Sequence, residues 1–366
     1  MRVGIIGAGT AGMSCAIELE RCGLKPVIFE RNDFIGEYIP HVSSFLNLIT
    51  RSITSDTLKY LDRKLGIKLI PLNSLNKVIH YSPHNQVVVT GPLGYLIIRG
   101  KEENSIQKQL YRMVKSQVHL NSFVQPEEIL SDFDFVVVAD GLKTVPERYG
   151  IWRQVLSAWL KGGIFAGDFA ADTIQMWLDN ELTKGAYIYS APYSRHKAVI
   201  THVIQNIEHE ELNHYWQRFL ESRDILKKYD LLESWELPHQ AGFVTTNRIG
   251  KIYFAGVAGG GVEPFLGFGQ FNAIYSGVMT ARSIITGKDI NVLLKELKKK
   301  YMELINLRYL MNKATNRDFD LLLSIMKTPG FRSMVYKTNI DIVKLISMGF
   351  SPFQAKVTEA VVAKGR

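Results

Sequence analysis

Three glycines and one acidic residue near the start of the chain have the spacing of a ligand-binding segment. Gly7 permits a tight turn, Gly9 lets the backbone approach a pyrophosphate, and Gly12 lets the following helix pack against its strand. Glu30 stands eighteen residues after the last of these glycines, at the end of a second apolar strand. A carboxylate there accepts hydrogen bonds from a ribose diol and repels a 2′-phosphate. We therefore predict that this segment, which includes Ala11, binds the ADP half of FAD or NAD rather than NADP.

An α/β framework must position these residues. Residues 1–31 predict a strand, a helix and a second strand, whereas 151–244 favour antiparallel strands and one helix. The strand-and-helix pattern then returns over 245–290, and an extended FAD commonly needs such a return of the chain. We predict an α/β fold with a Rossmann-like FAD-binding domain built from 1–150 and 245–290. An antiparallel-sheet substrate domain is inserted between the two parts, and helices follow over 291–366.

Apolar spacing and turn residues predict the local elements. Strands are expected at 94–99, 133–139, 162–171, 185–192, 197–206 and 252–255. Helices are expected at 208–228 and 271–286, with a mixed loop and helix segment over 32–60 and apolar C-terminal stretches at 319–326 and 340–348. Neither an internal repeat nor a low-complexity segment is present in the sequence.

Composition limits the class of partner. The chain has 366 residues, of which 46% are hydrophobic, and its formal net charge is +9. The basic residues are scattered apart from Lys298, Lys299 and Lys300, and no nucleic-acid-binding motif accompanies them, so we expect a membrane-surface role and no nucleic acid. The two cysteines, Cys15 and Cys22, favour neither a disulfide framework nor a metal site, and they fit a cytoplasmic protein. Since no apolar run reaches the ~20 residues of a membrane span, any membrane contact is expected to be peripheral.

Two later segments resemble motifs of the p-hydroxybenzoate-hydroxylase superfamily of flavoproteins. Asp140 and Gly141 follow a buried apolar strand, as the Asp-Gly motif of that superfamily does. The segment 252–273, IYFAGVAGGGVEPFLGFGQFNA, resembles its third motif, in which a strand is followed by glycines, a proline, two further glycines and a helix. The positions that keep this spacing are Gly256, Ala258, Gly260, Pro264, Gly267 and Gly269.

This resemblance implies FAD as the cofactor, and Gly267 and Gly269 would let the backbone lie against its isoalloxazine ring. The helix that starts near Phe271 would direct its N-terminus at the ring. The superfamily aspartate that holds the ribityl chain is replaced by Val257, which removes one hydrogen bond worth about 1–2 kcal/mol. The further residues that we assign to the cofactor are Arg31, which would stack on the adenine, Arg99, Asp140, Gly141, Gly256 and Pro264.

Within this superfamily the chain resembles the geranylgeranyl reductase family most. Segment 94–99 and the helix after it are similar to the family's strand-arginine-helix segment, and 185–192 is similar to its Tyr-x-Trp-x-Phe-Pro box. In that box Tyr189 replaces the tryptophan and Ala191 the phenylalanine. The resemblance, over roughly residues 1–290, implies hydride delivery from reduced FAD to a carbon–carbon double bond of a prenyl chain or lipid. It also implies an external electron donor, ferredoxin or reduced nicotinamide, because no second nucleotide fingerprint is present.

Reduction of an isolated alkene needs acid assistance, so a proton donor is expected near the flavin. Tyr187 and Tyr189 alternate on one strand and share a face, where they either line a substrate cavity or act as ordinary sheet residues. His41 lies in the segment 36–47, where some family members carry a cysteine and this chain has none. We predict these three residues as catalytic candidates. Glu263, just before the proline of the third motif, is assigned a structural or flavin-adjacent role.

Two other functions stay open on the sequence. A flavin-dependent monooxygenase or halogenase shares the fold and cofactor, and halogenases also carry an aromatic box that ends in proline, as 187–192 does. The lysine environment that a halogenase needs is not located in this sequence. A non-catalytic flavin or prenyl-lipid binding protein is the other alternative, and it is motivated by Val257 and by the missing cysteine.

Overall fold

The computed structural model describes residues 1–328 and the isolated positions 330, 341 and 344. Within these residues the strands are β1 (Val3–Ile6), β2 (Val27–Phe29), β3 (His41–Leu46), β4 (Asn73–Tyr81), β5 (Gln86–Arg99), β6 (Val118–His119), β7 (Phe135–Val138), β8 (Trp152–Ala166), β9 (Thr173–Trp177), β10 (Tyr187–Pro192), β11 (Lys197–Gln205), β12 (Asp230–Val244), β13 (Arg248–Ile249) and β14 (Ile252–Phe254). The α-helices are α1 (Thr10–Arg21), α2 (Asn47–Thr50), α3 (Thr57–Leu65), α4 (Ile106–Tyr111), α5 (Pro126–Ile129), α6 (Thr144–Arg148), α7 (Asn180–Thr183), α8 (Leu212–Ser222), α9 (Ile225–Lys228), α10 (Gln270–Thr286), α11 (Ile290–Leu293), α12 (Lys295–Lys313) and α13 (Asn316–Lys327). Short 3-10 turns span His209–Glu211 and Gly256–Gly259.

Six strands form a mostly parallel sheet in the order β13-β14-β7-β1-β2-β6. Its central strand β1 pairs in parallel with β2 and β7, which places Ile5 opposite both Ile28 and Val137. All three side chains are fully buried, as expected where helices cover a parallel sheet. The Rossmann-like α/β fold is therefore confirmed. β14 pairs in parallel with β7, so the chain does return to this sheet near residue 252.

Eight strands form a second sheet in the order β12-β8-β11-β10-β9-β4-β5-β3, and all neighbours are antiparallel except β4 and β9. One face carries an apolar cluster that packs against the loop 256–269, and the opposite face packs on α8 through Trp216 and Phe219. Three of the strands, β3 to β5, come from residues 41–99. The larger sheet therefore draws on residues that we had assigned to the FAD-binding domain, and the predicted domain limits stay a prediction.

Several local elements differ from their predictions. The segment 32–60 contains β3, which pairs with β5, in addition to the expected helices. The strand predicted at 162–171 belongs to the longer β8, and the helix predicted at 208–228 is divided into a 3-10 turn, α8 and α9. β12 is not indicated by the sequence pattern, because its first five residues are exposed and no apolar alternation marks them. Its pairing with β8, which is distant in sequence, defines it as a strand.

The described part of the predicted helical region 291–366 consists of α12, α13 and most of α11. The stretch 319–326 lies in α13, whereas 340–348 falls outside the described residues apart from positions 341 and 344. Lys300 is buried, and its ammonium group lies 3.3 Å from Glu303 and 2.9 Å from Asp341. It therefore adds no charge to a basic surface. Among the helices of the described residues, none is long and apolar enough to cross a membrane.

Helices α1 and α10 pack closely because small residues line their contact. A Cβ atom added to Gly277 would overlap the carbonyl oxygen of Ala11 and lie 3.2 Å from the Cys15 nitrogen. A Cβ atom added to Gly256 would lie 2.8 Å from the Ala11 Cβ. The Ala11 side chain is thus buried between packed elements, and any part that it has in the predicted cofactor site is played by its backbone.

Gly277→Ala should lower the free energy of unfolding by about 1–2 kcal/mol, because the added methyl group overlaps a backbone oxygen that cannot move without shifting α1, and such an overlap costs up to about 3 kcal/mol. Helix propensity acts in the opposite direction and favours alanine by about 1 kcal/mol. A net loss therefore reports the close contact itself. Urea denaturation followed by circular dichroism measures the difference, and a variant at least as stable as the wild-type protein would contradict the packing described.

Candidate functional site

The glycine turn between β1 and α1 leaves one stretch of backbone open. Gly7 has a φ of +102°, and its N–H donates to the Phe29 carbonyl at 2.7 Å. A Cβ atom on Gly12 would overlap the Gly7 carbonyl oxygen, so only glycine fits where the helix meets the strand. A Cβ atom on Gly9 would instead have the Ala139 oxygen, 4.0 Å away, as its nearest neighbour outside the turn. Space for an anion therefore lies at the N-terminus of α1, which has no side-chain cap.

Charged side chains converge beside this turn. The Glu30 carboxylate accepts hydrogen bonds from the Ala8 and Asn32 N–H groups at 2.9 and 3.0 Å. Burial raises the pKa of Asp140, the positive charge of Arg31 opposes that rise, and the negative charge of Glu30 adds to it. The three charges are thus close enough to act on one another. This arrangement suits a ribose diol and a phosphate held next to the glycine turn.

Arg99 connects the glycine turn to the start of α10. In the amide orientation that satisfies both of its ends, Gln270 accepts from Arg99 Nε and Nη2 at 2.9 Å and donates to Thr10 Oγ1 at 2.9 Å. Thr10 and Gln270 are the first residues of α1 and α10, and neither helix has a side-chain cap or an acid in its first turn. Two positive helix ends and a guanidinium group therefore meet at one point.

Glu37 and Gln107 hold Arg99 in this position. Arg99 donates to Glu37 Oε1 through Nη2 at 2.5 Å and Nε at 3.2 Å, and Gln107 donates to the same oxygen at 2.7 Å. Burial would raise the pKa of Glu37, but the Arg99 guanidinium holds it below its usual value. Nearby, His41 Nδ1 lies 3.2 Å from the Ile39 carbonyl, and burial lowers the pKa of His41 to about 4. His41 is therefore neutral at pH 7, which disfavours it as the proton donor that we predicted.

The third motif forms a loop between β14 and α10, which we name the motif loop (residues 256–269). Gly267 has a φ of +76°, and a Cβ atom there would overlap the ring of His239 on β12. Val257 is half-buried and packs against the apolar cluster of the larger sheet. An apolar contact thus stands where the superfamily has its aspartate. Of the remaining predicted cofactor residues in this loop, Gly256 and Pro264 are buried and Gly269 is half-buried.

A buried carboxylate shapes the motif loop. The side chain of Glu263 accepts hydrogen bonds from the N–H groups of Phe265, Leu266 and Phe268 at 2.7, 2.8 and 3.1 Å. Burial raises the pKa of Glu263 to about 7, although these amides act in the opposite direction. These three hydrogen bonds of the side chain all lie within its own loop, which favours the structural alternative of the two roles that the sequence left open for Glu263.

Two side chains from other elements attach the motif loop to the rest of the protein. The Tyr187 hydroxyl, on β10, donates to the Leu266 carbonyl. Arg308, on α12, donates to the Phe265 carbonyl at 3.1 Å and also to the Gly185 carbonyl. Arg308 is buried, and burial lowers its pKa to about 10. The sequence gives no signal for Arg308, because a single arginine in a helix usually faces solvent.

The predicted tyrosine pair lies on the face of the larger sheet that the motif loop covers. The rings of Tyr187 and Tyr189 are 6.1 Å apart. Burial raises the pKa of Tyr187 well above 10 and raises that of Tyr189 as well. The predicted residues thus form two groups. One group surrounds Gly9, where the nucleotide is expected, and the other consists of Tyr187 and Tyr189 on the face of the larger sheet. Their link through Thr10, Glu37, Gln107 and Gln270 was not predicted, since these contacts join elements distant in sequence.

Comparison with known proteins agrees with this architecture. A family model described as an NAD(P)-binding Rossmann-like domain matches residues 5–43. The structure is similar to a geranylgeranyl bacteriochlorophyll reductase-like protein from Thermoplasma acidophilum, with a TM-score of 0.73 and 16% identity over 98% of each chain. It is similar to a flavoprotein/dehydrogenase from Cytophaga hutchinsonii, with a TM-score of 0.67 and 13% identity over 100% of this chain and 98% of that one. It is also similar to CmlS, a flavin-dependent halogenase, with a TM-score of 0.61 and 15% identity over 92% of this chain and 70% of that one.

At these levels of identity the likeness concerns the fold. It confirms the predicted α/β architecture, which the chain shares with these proteins, and the family model places a Rossmann-like unit at residues 5–43. Proteins described as a reductase-like protein and as a halogenase share the fold, so the fold does not choose between the two reactions.

The raised pKa of Glu263 predicts a pH-dependent stability. Between the ordinary value of 4.5 and about 7, the folded protein keeps a proton that the unfolded chain has released. The free energy of unfolding should therefore fall as the pH rises through this window and stay level above it. Glu263→Gln carries no such proton, so the stability difference between it and the wild-type protein should change by about 3 kcal/mol across the window. Urea denaturation at several pH values measures this difference, and parallel curves would contradict the burial of an ionisable group there.

Proposed function

We propose that the chain is a FAD-dependent oxidoreductase that reduces carbon–carbon double bonds of geranylgeranyl or other prenyl chains by hydride transfer from reduced flavin. The observation that carries the proposal is the meeting of Arg99 with the N-termini of α1 and α10, close to an apolar sheet face that bears Tyr187 and Tyr189. The substrate would be a prenyl-chain small molecule or a lipid, taken from a membrane surface in the cytoplasm. Ferredoxin or reduced nicotinamide would supply the electrons.

The described residues fit FAD. The open backbone at Gly9 and the uncapped start of α1 suit a pyrophosphate, and the Glu30 carboxylate suits a ribose diol. Arg99 and the uncapped start of α10 suit an electron-accepting ring that gains negative charge on reduction. Val257 offers no hydrogen bond to the ribityl chain, so we assign the binding free energy to the other groups.

Bound FAD would supply the hydride, and the chain would supply a proton and an apolar surrounding. Both tyrosines keep their protons at neutral pH, because burial raises their pKa values. The Tyr187 hydroxyl is already bonded to the Leu266 carbonyl. The Tyr189 phenol has no such bond to the motif loop among the described residues. We therefore place Tyr189 ahead of Tyr187 and His41 as the group that holds the proton for the substrate.

The similarity to a geranylgeranyl bacteriochlorophyll reductase-like protein over 98% of each chain supports the reductase. A flavin-dependent halogenase or monooxygenase is the second candidate, because CmlS has the same fold. These reactions consume oxygen, whereas an alkene reductase needs none. Anaerobic turnover therefore separates the two classes.

Anaerobic reoxidation of the reduced, FAD-loaded protein tests the proposal. Geranylgeranyl diphosphate, geranylgeraniol and a prenyl ether lipid are added in turn, and the flavin absorbance is followed. We expect at least one of them to reoxidise the flavin and to gain two hydrogen atoms for each bond reduced, as measured by mass spectrometry. Tyr189→Phe should slow this step by about 100-fold without loss of bound FAD, because it removes the proton donor.

Tyr215→Phe serves as a matched control, since Tyr215 lies on α8 and is buried against Ile204 and Leu212, away from the motif loop. It should leave the reoxidation rate unchanged. Reoxidation only by oxygen, with halide incorporated or a hydroxylated product formed, would favour the second candidate instead. Bound flavin that neither reaction reoxidises would favour a non-catalytic binding protein.

A further inference from the structure

A row of side chains crosses the larger sheet on the face covered by the motif loop. In the strand register Tyr189 is opposite Thr201, Thr201 is opposite Gly162, and Gly162 is opposite Trp235. Residues directly opposite each other in antiparallel strands point to the same face. Since neighbouring strands are about 4.8 Å apart, the row is about 14 Å long.

This row is polar, whereas most of its neighbours on the same face are apolar. The flanking positions two residues away are Leu160, Ile164, Ala191, Val199, Val203 and Leu237, together with Tyr187 and the exposed Glu233. A Cβ atom added to Gly162 would overlap the Trp235 ring, so the indole lies over Gly162. The missing side chain at Gly162 thus leaves room for the indole beside the strand that carries Thr201.

Two polar atoms of the row are buried without a hydrogen-bond partner among the described residues. Thr201 is 1% exposed and its Oγ1 has no partner, and the same holds for the buried Nε1 of Trp235. Burial raises the pKa of the Tyr189 phenol, and hydrogen bonding from the nearby Thr201 hydroxyl opposes that rise, although the two groups lie outside ordinary hydrogen-bond geometry. An unsatisfied buried polar group costs about 1–3 kcal/mol, and nearly all such groups in native proteins have partners. Two of them in one row, on the sheet face that the motif loop covers, point to a ligand.

Apart from the exposed Glu233, the residues that flank this row in the strand register are uncharged. The His41 ring lies 6.2 Å from the Trp235 ring, and burial lowers the pKa values of His41 and His239 to about 4, so both are neutral at pH 7. Arg99, whose positive charge acts on Tyr189 and on both histidines, is ion-paired with Glu37. A diphosphate would require unpaired basic groups. The pair therefore suits an uncharged oxygen that accepts hydrogen bonds.

We propose that the Thr201 hydroxyl and the Trp235 N–H bind a neutral oxygen, in a hydroxyl or carbonyl group, carried by the prenyl substrate. This inference rests on the proposed function and deepens it, because it names the polar part of the substrate. The apolar rows on both sides of Thr201 then take the hydrocarbon chain. A substrate that lacks this oxygen leaves both donors unpaired and binds more weakly.

Calorimetric binding to the FAD-loaded protein tests the inference without requiring turnover. The probes are geranylgeraniol, geranylgeranyl diphosphate and squalene, which share the prenyl chain and differ in the polar group. Thr201→Val removes the hydroxyl donor with little change of shape. Trp235→Phe removes the N–H donor together with part of the ring, and the Trp177→Phe control accounts for that loss. Thr280→Val, a buried threonine on α10, and Trp177→Phe, on the opposite face of the larger sheet, are the matched controls.

We expect geranylgeraniol to bind at least tenfold more tightly than the other two probes, and each donor variant to weaken only its binding, by about tenfold. The controls should leave all three affinities unchanged. Tighter binding of the diphosphate, or donor variants that leave the alcohol's advantage intact, would overturn the inference. A shifted flavin spectrum in the donor variants with unchanged alcohol binding would also overturn it, since the donors would then serve the flavin. Alcohol binding that follows the expected pattern without any reoxidation would instead reject the proposed reaction alone.

Discussion

The arrangement of the site depends on the hydrogen bonds that the buried side chain of Glu263 accepts from the motif loop. This side chain gathers the backbone N–H groups of the motif loop, and this turns the carbonyls of Phe265 and Leu266 outward. Those carbonyls accept hydrogen bonds from Arg308 on α12 and from Tyr187 on the larger sheet. A buried carboxyl group is costly unless its oxygens are hydrogen-bonded, and the N–H groups of the motif loop supply those bonds. The start of α10, where we place the flavin ring, directly follows this loop.

Much of the nucleotide side could be predicted from the sequence, because its determinants are local. Gly7, Gly12 and Glu30 lie within one strand-helix-strand unit, and backbone geometry dictates their types. The return of the chain at 252–286 was also predictable, since a strand, a glycine-rich loop and a helix follow one another without interruption. For the same reason the fold class was recognised correctly, as was the strand that ends at Arg99.

The sheet side of the site could not be predicted to the same extent. The row of Tyr189, Thr201 and Trp235 depends on the register of strands that are far apart in sequence, and β12 begins with exposed residues that give no strand signal. The pKa of His41 likewise depends on burial by distant elements, so a histidine that looks like a proton donor in the sequence is neutral in the fold. Arg308 contacts the motif loop only because α12 packs there. Tertiary contacts of this kind leave no local pattern.

The central claim is that this chain holds FAD at the meeting point of α1, α10 and Arg99. The most direct test is the absorption spectrum of the purified protein, followed by denaturation and identification of any released ligand. We expect the two visible flavin bands at near-stoichiometric amount and the release of FAD, although Val257 offers the cofactor only an apolar side chain. A colourless protein that also fails to take up added FAD would contradict the account.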